Sequence, residues 1–177
     1  MIRSSRITRS HKDDDNGGGD DGDNAVTDAV IDKAVSLVRL CVEKEVIRLA
    51  SAQCDAKGAQ MLDASLERQR KIVEAGDYPN FGPEDYLFHE TICQIAGVDF
   101  AIDVISTEKA KCDRLCMLSI AKEERMPMLL EDHTSIANAI KAGDSETAVT
   151  SGVIHLSRLN ETINRIRVKN PYYFEVE

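Results

Sequence analysis

The stretch VTDAVIDKAVSLVRLCVEKEVIRLASAQ, residues 26–53, decides the fold class. Val30, Ala34, Leu37, Val38, Cys41, Val42, Ile47, Leu49 and Ala50 recur there at three-to-four-residue spacing, the period of one face of an α-helix. This predicts a first helix over 26–53 with that stripe turned inward.

The same period continues downstream. Gly58 marks a turn, and a second helix carries Met61, Leu62, Leu66, Ile72 and Val73 until Gly76, Asp77, Tyr78 and Pro79 stop it. Pro83 suits a first helical turn, so a third helix is expected from there to Gly97. A fourth is expected over 100–121 and a fifth over 126–141, ended by Ala142 and Gly143. Asp144 then caps a sixth that reaches about Val168, with Pro171 beyond it. No run of alternating strands and no internal repeat appears. The fold class expected is all-α, an antiparallel bundle of about six to seven helices with short connections.

Composition agrees with packed helices. The 177 residues are 42% hydrophobic but only 5% aromatic, with no Trp, so Leu, Ile, Val, Ala and Met must build the core. No apolar stretch reaches the length of a membrane span, and the Arg-containing first ten residues lack the apolar run of a secretory signal. A cytoplasmic protein is expected. The net charge of −9 and the pI near 5.0 argue against a direct grip on nucleic acid, which needs clustered Lys and Arg.

Residues 1–24 read differently from 25–177. The segment DDDNGGGDDGDN, residues 13–24, combines self-repelling aspartates with glycines that resist ordering, so a disordered acidic tail is expected. It lacks the alternating ligands and distal Glu of an EF-hand. Of the five cysteines, Cys41, Cys54, Cys93, Cys112 and Cys116, none forms a CxxC pair, and buried free thiols are the expectation. Cys112 and Cys116, one helical turn apart, are a weak metal signal without a second pair.

Chemistry concentrates in the histidines. His11 lies in the tail, whereas His89, His133 and His155 fall on three different expected helices, each at helical spacing from apolar neighbours. Asp85, four residues before His89, shares its face, and an inward carboxylate needs a cation or metal beside it. Three imidazoles and one carboxylate converging from three helices make a divalent-metal site. Imidazole suits zinc, nickel, copper and iron, and the carboxylate extends the choice to manganese. Zinc is the first expectation, nickel or manganese the alternatives. The bland reading gives each histidine a hydrogen bond within a core.

Three stretches carry a resemblance to a known family. EDYLFHETICQIAG (84–97) resembles the D-x-x-F-H…AG signature of the FCD domain, the effector-binding half of FadR-subfamily GntR transcription regulators. EDHTSIANAIKAGDSETAVTSGVIHL (131–156) is similar to that family's E-H-x-x-I-x-x-A-I-x-x-G-D-x-x-x-A…H-L signature. VRLCVEKEVIRLAS (38–51) is similar to its first-helix pattern, R-x-x-x-E…LAA. Val98 replaces the family's Asn after AG, and Asp132 its Glu before the second His.

The resemblance implies that Asp85, His89, His133 and His155 hold a metal. It also implies a small carboxylate effector, such as a sugar acid or hydroxy acid, bound beside or onto that metal. Arg39 stands where the family has Arg and could grip an effector carboxylate, or pair with Glu43 one turn on; Arg114 on the fourth helix is a second candidate. Residues 1–24 hold no counterpart of a winged helix-turn-helix, so DNA contact is expected only through an N-terminal domain missing from this chain. A homodimer is the expected assembly.

The function expected is therefore effector sensing for a transcription regulator, without enzymatic activity. The competing readings are a metal-dependent hydrolase or lyase acting on a small organic acid, and a purely structural bundle. With every interior histidine used by the metal, no inward base is left to serve an enzyme.

Overall fold

The computed structural model describes residues 22–116 and 122–169. Six α-helices make up the described chain: α1 (Gly22–Gln53), α2 (Ala56–Ala75), α3 (Tyr78–Ile95), α4 (Ala101–Cys116), α5 (Lys122–Lys141) and α6 (Ser145–Lys169). No strand occurs among the described residues. The all-α bundle expected from the periodicity is the fold found. Residues 1–21 of the acidic tail, His11 among them, and the aromatic segment after Pro171 lie outside the described residues, whereas Gly22–Asn24 begin α1.

The stops expected at Gly76, Gly143 and Asp144 act where the sequence puts them, whereas Gly58, expected to mark a turn, lies in the first turn of α2. Asp55 accepts the Gly58 N–H at 2.8 Å and caps α2, and Asp144 accepts the Thr147 N–H at 3.0 Å and caps α6. Gly76 and Gly143 take left-handed backbone at φ 65° and 70°. The next N–H in each case, that of Asp77 or Asp144, then reaches the carbonyl of Ile72 or Ala139 at 3.0 Å and closes the helix end.

Three starts differ from expectation, α1 beginning at Gly22 instead of Val26. α3 begins at Tyr78, with Pro79 in its first turn and Pro83 inside it. Pro83 forfeits one backbone bond so near the N-terminus, and the additional turn carries Phe81 into full burial. α5 likewise begins at Lys122 and holds Pro127 within its first turns.

α1 packs on α6 and α4, α5 on α6, and α2 on α3 and α5. Their shared core is aliphatic around a single aromatic: Val46, Ile47, Ala50, Leu62, Leu66, Phe88, Ile92, Ile105, Ile136, Ile140 and Ala148. α1 and α6 approach closely at Gly152, where a Cβ would lie 2.5 Å from Cδ1 of Ile47.

The inward face of α1 corrects the expectation at Leu37, Val38 and Cys41. Leu37 is 60% exposed and Val38 41%, and Cys41 is exposed as well. The buried stripe is Arg39, Glu43, Val46, Ile47 and Ala50, which also repeats every three or four residues. Two stripes of equal period compete on this helix. The one containing a mutually neutralising Arg–Glu pair faces the interior, because a polar partner waits there. The thiols are also not uniformly buried: Cys93 is buried, Cys54 half-buried and Cys41 exposed. The side chains of Cys112 and Cys116 lie outside the described residues.

Candidate metal centre

The four residues expected to share a site do meet. One donor atom from each of Asp85, His89, His133 and His155 lies within 4.8 Å of every other, and all four residues are buried. α3 supplies Asp85 and His89 one turn apart on one face, α5 supplies His133, and α6 supplies His155. The imidazole centroids stand 5.7 Å apart for His89 and His133, 5.6 Å for His89 and His155, and 4.8 Å for His133 and His155. Phe88 closes one side by stacking on His133 at 4.1 Å between ring centres.

Each histidine is approached from behind by an oxygen. His133 Nδ1 donates to Gln69 Oε1 at 2.7 Å, and Gln69 is itself fully buried beside Ser65. His89 Nδ1 lies 2.9 Å from Glu43 Oε2. Arg39 grips the other oxygen of Glu43 through Nε at 2.8 Å and Nη2 at 2.7 Å. His155 Nδ1 lies 3.6 Å from Asp132 Oδ2, and Asp132 Oδ1 accepts from Arg158.

These bonds fix which atoms face inward. With Nδ1–H committed to Gln69, a neutral His133 presents a bare lone pair at Nε2. Burial depresses the imidazolium of His133 to a pKa of about 4, so the ring is neutral near pH 7. Burial alone would raise the Glu43 carboxyl, but His89 and Arg39 overcome that and bring it down to about 2. Burial opposes ionisation of Asp85 too, and the Lys109 ammonium, 2.7 Å from Oδ2, outweighs it and holds the carboxyl well below its usual range.

The consequence is a cluster of buried polar atoms that face one another. Asp85 Oδ1 is 3.2 Å from His133 Nε2 and 3.8 Å from His89 Nε2. Asp85 Oδ1, His89 Nε2 and His133 Nε2 are buried without a hydrogen-bond partner, as are His155 Nδ1 and Asp132 Oδ2, which face each other. Native interiors rarely leave such atoms unsatisfied. Three imidazole nitrogens and one carboxylate oxygen are a donor set that could hold a divalent first-row metal.

Arg39 sits behind the cluster, buried, with its guanidinium on Glu43. The local pairing with Glu43 is thus formed, inside the protein instead of on its surface. Arg114 is on α4, and its side chain lies outside the described residues. Three participants were not singled out by sequence reasoning: Gln69, Lys109 and Asp132 in its contact with His155. Glu43 had one signal, its position four residues after Arg39. Nothing local marks Gln69 or Lys109, whose partners lie on other helices.

Residues 34–158, which include all four donors, match the FCD domain. The chain is 29% identical over 142 residues to the HTH-type transcriptional repressor RspR of Escherichia coli K12, covering 80% of this chain and 62% of that protein. The identity and coverage are the same for an uncharacterized HTH-type transcriptional regulator, YdfH, of Shigella flexneri. A regulator encoded in an unstable DNA locus of Streptomyces ambofaciens is 25% identical over 139 residues, covering 76% of this chain and 58% of its own length. The chain thus spans about three-fifths of the length of these curated relatives.

Proposed function

This chain belongs to the FCD domain family, and we propose that it is the effector-sensing part of a transcription regulator whose site works through a bound divalent metal. Two relatives are named HTH-type transcriptional regulators and a third a repressor, which supports regulation over catalysis as the role of this domain. DNA would be engaged by a separate helix-turn-helix domain. The net charge of −9 fits a domain that leaves DNA contact to another part of the protein. A homodimer and a cytoplasmic setting go with that role, and no described helix is long and apolar enough to cross a membrane.

One observation carries the metal part. Asp85 Oδ1 stands 3.2 Å from His133 Nε2 and 3.8 Å from His89 Nε2, and a donor atom of His155 lies within 4.8 Å of the other three. A divalent cation would satisfy all four at once. Asp85, His89, His133 and His155 would hold it, Glu43 and Gln69 fixing two of the rings from behind. A bound divalent ion supplies a Lewis-acidic point to which a small carboxylate can attach. Zinc is the first choice, with nickel and manganese also compatible with nitrogen and oxygen donors. The effector acts by favouring one arrangement of the regulator over another.

Elemental analysis of the purified protein tests this, with Asp85→Ala and His133→Ala alongside. About one metal ion per chain, lost in both variants while far-UV circular dichroism is retained, is the expected result. A wild-type chain that stays empty after loading with zinc, nickel and manganese would sink the metal reading and leave a metal-free sensor.

A further inference from the structure

The three histidines of the cluster each have an oxygen behind them, whereas the fourth donor, Asp85, has a cation. Oδ1 of Asp85 faces His133 Nε2 at 3.2 Å and His89 Nε2 at 3.8 Å, and Oδ2 meets the ammonium of Lys109 at 2.7 Å. Asp85 belongs to α3 and Lys109 to α4, so the contact forms only when the two helices dock. Lys109 is buried, and its Nζ also sits 4.1 Å from the centre of the Tyr86 ring. Separating opposite charges inside a fold is costly. Oδ2 therefore stays with Lys109, and Oδ1 alone is turned to the histidines.

A carboxylate can hold a metal ion through one oxygen or through both. With Oδ2 committed to Lys109, Asp85 offers one. The cluster then presents three nitrogens and one oxygen, one donor atom from each residue. Four donors of this kind suit the four-coordinate shell that zinc adopts. Manganese binds nitrogen donors more weakly and prefers an octahedral shell rich in oxygen. A second Asp85 oxygen would be a fifth donor, of the hard kind from which manganese gains more than zinc.

From this divided carboxylate we infer that Lys109 is a metal-specificity residue: by holding Asp85 Oδ2 it limits the site to one carboxylate oxygen and favours zinc over manganese. Lys109 acts on the ion through Asp85 and is a positioning residue. The inference rests on the metal reading above and adds to it the choice between ions. Zinc and manganese are both dications, so a purely electrostatic effect of Lys109 falls on the two alike and cancels in the ratio of their affinities. The number of oxygens that Asp85 supplies does not cancel.

That ratio is the test, measured at one pH and ionic strength for the wild type, Lys109→Met and Lys109→Arg. Competition against a chromophoric chelator gives the zinc affinity, and the electron paramagnetic resonance signal of unbound manganese gives the other. In Lys109→Met the preference for zinc should shrink by at least roughly tenfold, the scale on which groups behind a metal ligand act. Lys109→Arg keeps a donor on Oδ2 and should hold the wild-type ratio. If Lys109→Met does not fold, the wild type still decides. Its infrared difference spectrum on zinc loading, with carbon-13 in the aspartate carboxyls, should show the widely split stretches of a carboxylate bound through one oxygen. Three results overturn this inference and leave the metal site standing: equal changes in both affinities in Lys109→Met, a ratio in Lys109→Arg as altered as in Lys109→Met, or the narrow splitting of a chelating carboxylate in the wild type. A wild-type chain that retains neither ion after loading overturns the metal reading and this inference with it.

Discussion

Gln69 on α2 and His133 on α5 are 64 residues apart, yet Oε1 of the amide takes the Nδ1 hydrogen of the imidazole at 2.7 Å. That bond decides which ring nitrogen points into the site. Replacing Gln69 by Leu frees the ring to rotate or change tautomer. Metal affinity should fall by about 10- to 100-fold, the usual effect of losing the group behind a histidine ligand. Gln69→Glu, which keeps an acceptor, should recover most of it. Competition against a chromophoric chelator measures both, and an unchanged affinity in Gln69→Leu would mean that packing against Phe88 alone orients His133.

The Arg39–Glu43 pair should behave as a buried ion pair. Arg39→Met leaves the carboxylate inside without its guanidinium, and removing one partner of a buried pair costs about 3–5 kcal/mol. Arg48 and Glu45 make a similar pair on the same helix, but in solvent. Arg48→Met should leave the urea midpoint where it is. Equal effects of the two substitutions would contradict the burial of Arg39.

His133 gives the metal-free protein an acid limit. Its pKa is about 4 in the fold against 6.5 for the free side chain, so below pH 6.5 the unfolded chain binds the proton more readily. Stability from this group is complete above pH 6.5 and is lost as pH falls toward 4, by roughly 3 kcal/mol in total. Glu43, brought from 4.5 to about 2, contributes in the same sense in the next window down. Chelator-treated protein unfolded in urea at pH 7, 5.5 and 4.5 should show a falling midpoint. A flat profile across that range would refute the neutral, buried state of His133.

Gly152 keeps α1 and α6 close. Gly152→Ala places a methyl 2.5 Å from Cδ1 of Ile47, and overpacking of this kind typically costs about 1–3 kcal/mol. Ile47→Val deletes that Cδ1. The double variant should therefore melt above the sum of the two single effects. Strict additivity of the melting shifts would place the conflict elsewhere.

The fold, and the grouping of Asp85, His89, His133 and His155, were legible because both depend on short-range signals. Helix stops are local: Asp55, Gly76, Gly143 and Asp144 act through backbone groups within five residues. The histidines stood out through rarity and through their place on apolar faces. What surrounds them was not legible, because Gln69, Lys109 and Asp132 acquire their roles only when helices distant in sequence come together. The face of α1 was misjudged for the same reason. Hydrophobic period alone ranks Leu37 above Arg39, and the ion pair that reverses the order is completed by His89 on another helix. Pro83 and Pro127 mark neighbourhoods of helix starts, and the burial of Phe81 moves the start of α3 upstream.

The donors come from α3, α5 and α6, and no single helix offers more than two of them. A metal gathered by a short hairpin can nucleate folding; here a bound ion would find its full set of partners only after helices far apart along the chain have docked. Its stabilisation is then absent from the folding transition state. Metal should leave the refolding rate unchanged and slow unfolding. The protein would acquire its ion as a finished bundle, and the time for which it holds that ion would be set by how rarely the bundle opens.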